Sequence, residues 1–269
     1  MRLGIIGSGF VGSSVINGFD RDVEQFIVDP KYNNNTIKNL VEFDPPLCFV
    51  CVPTPEGKNG DVDVDAVRQV CSDLFDMQYK GIVVIKSTIT PKHLTNLKKD
   101  FDIKLVYNPE FLTEANAHDD FINPNMQVLG GKWRDCDKVE KAYSRHSSVK
   151  IVPTYKVDLI TASLIKYTIN SWLATKVTFF NELYDLHQAS GSHSSWTQFT
   201  EMLASDPRVG KTHMNVPGPD GQFGFGGHCF PKDTEALLYY AKQKQVELEV
   251  LHTSVYMNDH KYRKKKKET

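Results

Sequence analysis

Residues 2–12 read Arg2-Leu3-Gly4-Ile5-Ile6-Gly7-Ser8-Gly9-Phe10-Val11-Gly12. A short apolar run (3–6) enters a turn with the spacing G-x-G-x-x-G, and a helix-like segment (11–19) follows at once. Strand, glycine turn and helix in that order open a β-α-β fold whose turn faces a ligand. The glycines permit a tight turn and let the backbone approach a pyrophosphate, to which the helix N-terminus offers unpaired N–H groups. A second apolar run ends in Ile27-Val28-Asp29, 17 residues after Gly12. A carboxylate there accepts hydrogen bonds from ribose hydroxyls and repels a 2′-phosphate, which favours NAD over NADP, although Lys31 nearby works against that preference. Gly7, Gly9, Phe10, Val11, Gly12 and Asp29 are therefore the expected cofactor cradle.

Outward from this motif, apolar runs recur at 47–52, 82–85, 103–106 and 126–129, separated by helix-like stretches such as 64–77 and 91–99. Continuous apolar runs between helices imply a parallel sheet covered on both faces, a Rossmann-type doubly wound α/β domain. Segments 133–146 and 149–152 would add a further helix and strand. After Pro153 the pattern changes to one long helix (156–189), a short helix (196–203), a loop rich in Gly and Pro (209–231) and a helix (232–244). The expected division is 1–155 for NAD binding and 156–269 for a mainly α-helical domain with the long helix at its centre.

Apolar residues at 40% and charged residues at 24% describe a globular chain and exclude a disordered one. With 32 basic and 33 acidic side chains the formal charge is −1, so a whole-chain basic field for nucleic acid is excluded. No run of 18 apolar residues is present, and the N-terminal stretch reads as a strand rather than a secretion signal. Five cysteines without regular spacing fit a reduced, cytoplasmic protein. Cys48 and Cys51, three apart in a strand, point to opposite faces, and no second Cys/His pair completes a zinc site, so no metal is expected. The run 261–267, rich in Lys and Arg, reads as a solvated terminus.

Chemistry concentrates at the strand ends and in the second half. Three runs lead into Pro53-Thr54-Pro55, Ser87-Thr88 and Asn108-Pro109-Glu110, placing hydroxyl, amide and carboxylate groups where open α/β sheets bind ligands. Asn108-Pro109 fits the start of a helix with Glu110 and Glu114 on one face, where Glu110 could serve only the helix dipole. On the long helix Lys166 and Asn170 lie one turn apart, with Asn181 within roughly 60° of Lys166; these are polar groups seeking a partner or a ligand, or simply a solvated stripe. The most informative stretch is Gly224-Phe225-Gly226-Gly227-His228-Cys229-Phe230-Pro231-Lys232-Asp233. A helix N-terminus and Lys232 would favour the thiolate of Cys229, and Asp233 could orient a water, a lysine or the thiol; the alternative is an inert buried cysteine. His228 is either an activator or a filler.

Taken in order, GSGFVG, CVPTPEGKNGDVD, KSTITP, YNPEFLTEANAHDDF, Lys166 with Asn170, Asn181-Glu182, Asp206–Gly210 and GFGGHCFPKD resemble the UDP-glucose 6-dehydrogenases within the UDP-glucose/GDP-mannose dehydrogenase family. That resemblance implies two successive NAD-dependent oxidations of a nucleotide sugar, from the C6 alcohol to the carboxylate. UDP-glucose is the first candidate; GDP-mannose or a UDP-N-acetylhexosamine, or a non-catalytic protein that binds NAD or a sugar nucleotide, are the alternatives. Cys229 would match the nucleophile that forms a thiohemiacetal and then a thioester. Glu110 would match the hydrolytic general base, Lys166 with Asn170 the oxyanion donors, Asp233 the proton relay and Thr88 a holder of water and cofactor. Glu110, Lys166, Asn170 and Gly226 would touch the sugar. Thr54, Glu114 and Lys232 would touch NAD, and Arg208 would reach substrate across a homodimer interface. Against the family pattern the chain reads as a short form lacking the C-terminal nucleotide-binding domain, with VPGPDGQ inserted before the glycine loop and His228 where serine is commoner.

Overall fold

The computed structural model describes residues 1–113 and 116–263. It divides into two compact units, Met1–Lys58 with Val62–Lys166, and Asn59–Asp61 with Tyr167–Thr269.

The first unit is a seven-stranded sheet flanked by helices. In chain order it comprises β1 (Arg2–Ile6), α1 (Phe10–Gly18), β2 (Glu24–Val28), α2 (Ile37–Phe43), β3 (Leu47–Val50), α3 (Asp65–Asp76), β4 (Ile82–Ile85), α4 (Pro91–Asp100), β5 (Lys104–Tyr107), α5 (Ala117–Ile122), β6 (Gln127–Gly131), α6 (Trp133–His146) and β7 (Thr154–Val157). The strand order is β2-β1-β3-β4-β5-β6-β7, and every pairing is parallel except β5 with β6. Strands β3 and β4 are buried throughout, as apolar runs covered on both faces must be. Alternate residues feed two separate cores: Cys48, Val50, Val83 and Ile85 on one face, and Phe49, Cys51, Ile82 and Val84 on the other. Cys48 and Cys51 thus lie on opposite faces. On the second face Phe19, Phe49 and Tyr143 pack ring to ring at 4.8–5.9 Å.

Three local expectations are corrected. No helix begins at Asn108-Pro109: residues 108–113 are irregular and α5 starts only at Ala117. The Asn108 side chain is buried and bonded to three other groups, so it is not available as a cap. Residues 149–152 form no strand, and Ile151 is 89% exposed; pairing with β6 begins after Pro153, whose carbonyl accepts from Gln127 N–H at 3.0 Å. Lys156 belongs to β7, and the long helix α7 (Leu159–Ala189) starts later, where the Asp158 carboxylate accepts from Thr161 N–H and Oγ1 at 2.9 and 2.6 Å.

In the second unit α7 continues past Tyr167, followed by α8 (Trp196–Ala204), α9 (Phe230–Gln243) and α10 (Glu249–Met257), which runs into a π-turn at Asn258–Tyr262. Ser195 and Gln198 form a reciprocal cap at the start of α8. Trp196 packs edge-on to Phe180 and Tyr184 and donates from its indole N–H to the Met214 carbonyl at 3.0 Å, which satisfies the polar end of a buried ring. The start of the basic run is exposed at Lys261 but carries ion pairs, Lys261 with Asp185 and Arg263 with Asp220. Residues 264–269 of that run lie outside the described residues. Among the described residues no helix is long and apolar enough to cross a membrane.

Candidate active site

The path of the chain reverses between β1 and β3, which opens a crevice at their carboxyl ends. Gly7 ends β1 with φ +89°, a conformation L-residues rarely adopt, and any Cβ there would stand 2.8 Å from the Cys51 carbonyl oxygen. Gly12 packs α1 so tightly against the turn that a Cβ would lie 1.9 Å from the Gly7 carbonyl oxygen. Gly9 is different, because its Cβ position is open space within 4 Å, leaving the backbone approachable. Phe10 is 44% exposed, Val11 is half-buried, and both begin α1. Asp29 ends β2 and is 9% exposed. Burial pushes its carboxyl up, yet hydrogen bonds from Ser8 N–H and Oγ (2.7 and 2.8 Å) and from Lys31 N–H (2.9 Å) outweigh burial and hold it below the usual carboxylate range. The glycines and an ionised Asp29 at this crevice fit the pyrophosphate and ribose of NAD.

Further along the same sheet end, Thr54 is buried after β3 and Thr88 half-buried after β4, while Ser87 Oγ donates to the Val52 carbonyl at 2.6 Å. Glu110 is 9% exposed. One of its carboxylate oxygens accepts from Leu112 N–H at 2.6 Å, and the other lies 3.2 Å from Lys166 Nζ. Lys166, 2% exposed, also donates to the Glu110 carbonyl at 2.6 Å. The structure thus joins two residues 56 apart in sequence into a buried ion pair. Glu114 lies outside the described residues.

In the second unit Cys229 occupies the position just before α9, without a side-chain capping bond. It is the one partly exposed thiol of the five; Cys48, Cys51, Cys71 and Cys136 are buried, and burial raises all four, Cys51 and Cys71 to about 12 and Cys136 to about 11. One turn into α9, Asp233 donates its N–H to the Cys229 carbonyl at 2.8 Å. The Asp233 carboxylate is 1% exposed, and each oxygen is met by a donor at 2.6 Å, one from Asn170 Nδ2 on α7 and one from Lys232 Nζ. Cys229, Lys232, Asp233 and Asn170 therefore form one hydrogen-bonded neighbourhood. His228 is exposed beside it. Arg208 stands apart, exposed and paired with Asp206.

Four side chains to which the sequence assigned no site role stand out here, one of them, Asn181, already noted as a polar group on the long helix. Asn181 Oδ1 accepts from Gly224 N–H at 3.0 Å and Asn258 Oδ1 from Phe225 N–H at 2.7 Å, so two buried amides hold the start of the glycine loop that leads to Cys229. Asn181 was legible as a polar interruption of α7, whereas the polar sequence around Asn258 gave no sign of its role. Arg263 donates to the Phe223 carbonyl at 2.7 Å, and its guanidinium covers Gly226, where a Cβ would lie 2.4 Å from Nη1. In the first unit, Lys86 directly follows the wholly apolar β4, 4% exposed, with Nζ 3.1 Å from Asn108 Oδ1 and 5.6 Å from the Phe121 ring centre. Burial pulls Lys86 down to about 8. Among the described residues no group of three His, Cys, Asp or Glu could hold a metal ion.

The first unit is by these features a Rossmann-type NAD-binding domain, carried with a helical unit that presents a thiol at a helix N-terminus. Residues 23–146 match the NAD binding domain of the UDP-glucose/GDP-mannose dehydrogenase family, and residues 160–260 match its central domain. The chain belongs to that family. It is 33% identical over 232 residues to the UDP-glucose 6-dehydrogenase of Rickettsia conorii, covering 84% of this chain and 50% of that protein. It is 32% identical over 229 residues to the GDP-mannose 6-dehydrogenase of Pseudomonas savastanoi pv. phaseolicola, covering 79% and 50%. Among solved structures, a UDP-glucose dehydrogenase from Pyrobaculum islandicum shares the fold with a TM-score of 0.81 at 23% identity, over 96% of this chain and 68% of that one. A GDP-mannose dehydrogenase ternary complex from Pseudomonas aeruginosa superposes with a TM-score of 0.67 at 27% identity, covering 97% and 69%. The chain spans about half the length of the curated relatives it matches.

The position of Lys86 makes a pH prediction. Between pH about 8 and 10.5 the unfolded chain keeps a proton on this lysine that the folded chain has released, so folding stability rises with pH across that window. In Lys86→Met the group is gone, while Tyr143 still donates to Asn108 at 2.7 Å. Urea midpoints at about pH 7.5 and about pH 10 should show wild type gaining on the variant as pH rises. A difference independent of pH contradicts this account.

Proposed function

We propose that the protein oxidises the C6 alcohol of a nucleotide sugar to a carboxylate in two NAD-dependent steps, with UDP-glucose as the substrate. The observation that carries this reading is the partly exposed Cys229 at the start of α9, hydrogen-bonded through its carbonyl to a buried Asp233 that Asn170 and Lys232 hold from both sides. Bound NAD supplies the hydride acceptor, one molecule for each oxidation. Gly7, Gly9, Phe10, Val11, Gly12, Asp29, Thr54, Thr88 and Lys232 are assigned to holding it, as is Glu114.

Cys229 Sγ adds to the aldehyde carbon left by the first oxidation, giving a thiohemiacetal that cannot diffuse away. Loss of a second hydride from that carbon gives a thioester on Cys229. Water then attacks the thioester carbon and the C–S bond breaks, which releases the carboxylate and restores the thiolate. Glu110 takes the proton of that water, and Thr88 helps to position it. Lys166 and Asn170 donate to the oxygen on which negative charge develops. Asp233 relays protons and holds Asn170 in place. Gly226 borders the sugar. One sugar, two NAD and one water thus yield one acid, two NADH and three protons. Five cysteines without a disulfide suit a reducing compartment, the cytoplasm.

We further propose a homodimer built on α7. Trp172, Phe179 and Leu186 are 61, 55 and 61% exposed and recur every seventh residue, an apolar stripe about 21 Å long on one side of the helix. A second copy is the natural cover for such a stripe, and Arg208, exposed in one copy, would serve the substrate of its partner.

Two measurements test these readings. With NAD and UDP-glucose the protein should form two NADH per sugar together with UDP-glucuronate, and Cys229→Ser should abolish acid formation while retaining NAD binding. Tight NAD binding without turnover on UDP-glucose, GDP-mannose or a UDP-N-acetylhexosamine contradicts the enzymatic reading. In sedimentation at micromolar concentration the wild type should be dimeric and Trp172→Glu/Phe179→Glu monomeric; a monomeric wild type contradicts the dimer.

A further inference from the structure

The amino ends of the strands carry a feature that the proposed reaction does not use. The first residues of β1, β3, β4 and β5, four neighbours in the sheet, line a groove of about 600 Å3, with the second half of α6 as one wall. That volume is within the range of small-ligand sites. Six basic side chains line it, Arg2, Lys80, Lys104, Lys138, Lys141 and Arg145, all exposed, against one carboxylate, Asp44. Asp44 is already 3.5 Å from Arg2. The whole chain carries a formal charge of −1, so this concentration of positive charge is local.

Several observations separate the groove from an ordinary solvated face. Its cations come from separate segments of the chain and converge on one concavity. Two are held by backbone carbonyls, Arg2 by Phe43 at 2.5 Å and Lys104 by Lys80 at 2.6 Å, which fixes their positions, although Arg2 shares its charge with Asp44. Lys138, Lys141 and Arg145 fall within an arc of about 60° on α6. Among the described residues none of these three forms an ion pair. Of the acidic neighbours on α6, Asp137, one turn before Lys141, and Glu140 are both engaged by Lys156. Like charges gathered in a concavity with low-dielectric walls raise the local anion concentration.

We propose that this groove binds the phosphate chain of a small oligophosphate, the moiety shared by inorganic tripolyphosphate and nucleoside triphosphates. Four strands span three sheet spacings, about 14 Å, which suits a chain of two or three phosphates. A surplus of positive charge matches the several negative charges of such a chain. No Phe, Tyr or Trp of the described residues lines the groove, so it offers no stacking platform for the bases of a single-stranded nucleic acid. The strands separate it from the cofactor crevice by their own length, about 15 Å, making it a second site rather than an extension of the first.

The test is calorimetric titration of the full chain with tripolyphosphate, with NAD saturating so that the glycine turn is occupied. Tripolyphosphate and a nucleoside triphosphate should bind with similar affinity, because only phosphate is read. Lys141→Glu/Arg145→Glu should weaken both by about tenfold or more, and the neutral pair Lys141→Gln/Arg145→Gln by less, with NAD affinity unchanged in each. Three results overturn the proposal: no heat of binding at about 5 mM ligand, an affinity indifferent to the charge reversal, or tighter binding of single-stranded RNA than of either triphosphate.

Discussion

A buried charge must be answered by donors or by an opposite charge, and both halves of this chain are organised around that requirement. Asp233 is 1% exposed, and its two oxygens are met by Asn170 and Lys232. Glu110 and Lys166 answer one another in the first unit. Removing one member of such a pair leaves an uncompensated charge, at a cost of about 3–5 kcal/mol. Stability alone would be as well served by apolar side chains. These positions instead hold a carboxylate, an amide and an ammonium in fixed orientations, the arrangement that the proposed reaction requires.

The same requirement fixes what surrounds the thiol. Asp233 cannot move without uncoupling Asn170 from α9, and its N–H is tied to the Cys229 carbonyl one turn earlier. The glycine loop before Cys229 carries little side-chain mass to hold it. Asn181 and Asn258 supply that support through its backbone N–H groups, and Arg263 bridges it to Asp220 in the segment 216–222. That segment and the start of the basic run are thus structurally connected to the proposed nucleophile loop rather than being appendages.

Much of the sheet was readable because fully buried strands appear as short uninterrupted apolar runs, as at 47–52 and 82–85, shorter than most helices of the chain. The misreadings have specific causes. Asn108-Pro109 has the composition of a helix start, but the Asn108 amide is needed inside by Lys86, Tyr143 and the Val128 carbonyl, and tertiary demand overrode the local preference. Residues 149–152 carry strand composition, yet ladder formation waits until after Pro153. The reversed direction of β6 and β7 relative to the other strands leaves no mark in hydrophobic patterning, since parallel and antiparallel buried strands look alike. At the site, Cys229, Asp233 and Lys166 stood out as reactive or charged groups in unusual company. Lys86 was visible as a charge directly after an apolar strand, but nothing local revealed that it would be buried. Asn258 and Arg263 were masked by the polar composition around them, because their partners lie 33 and 43 residues away in sequence.

The central claim is that Cys229 covalently holds the half-oxidised sugar. It is tested most directly by intact-protein mass spectrometry of Glu110→Gln after mixing with NAD and UDP-glucose. With hydrolysis slowed, the account predicts a mass gain matching the oxidised sugar nucleotide, mapped to the peptide that contains Cys229 and absent from Cys229→Ser. An unmodified protein accompanied by free aldehyde in solution would contradict it.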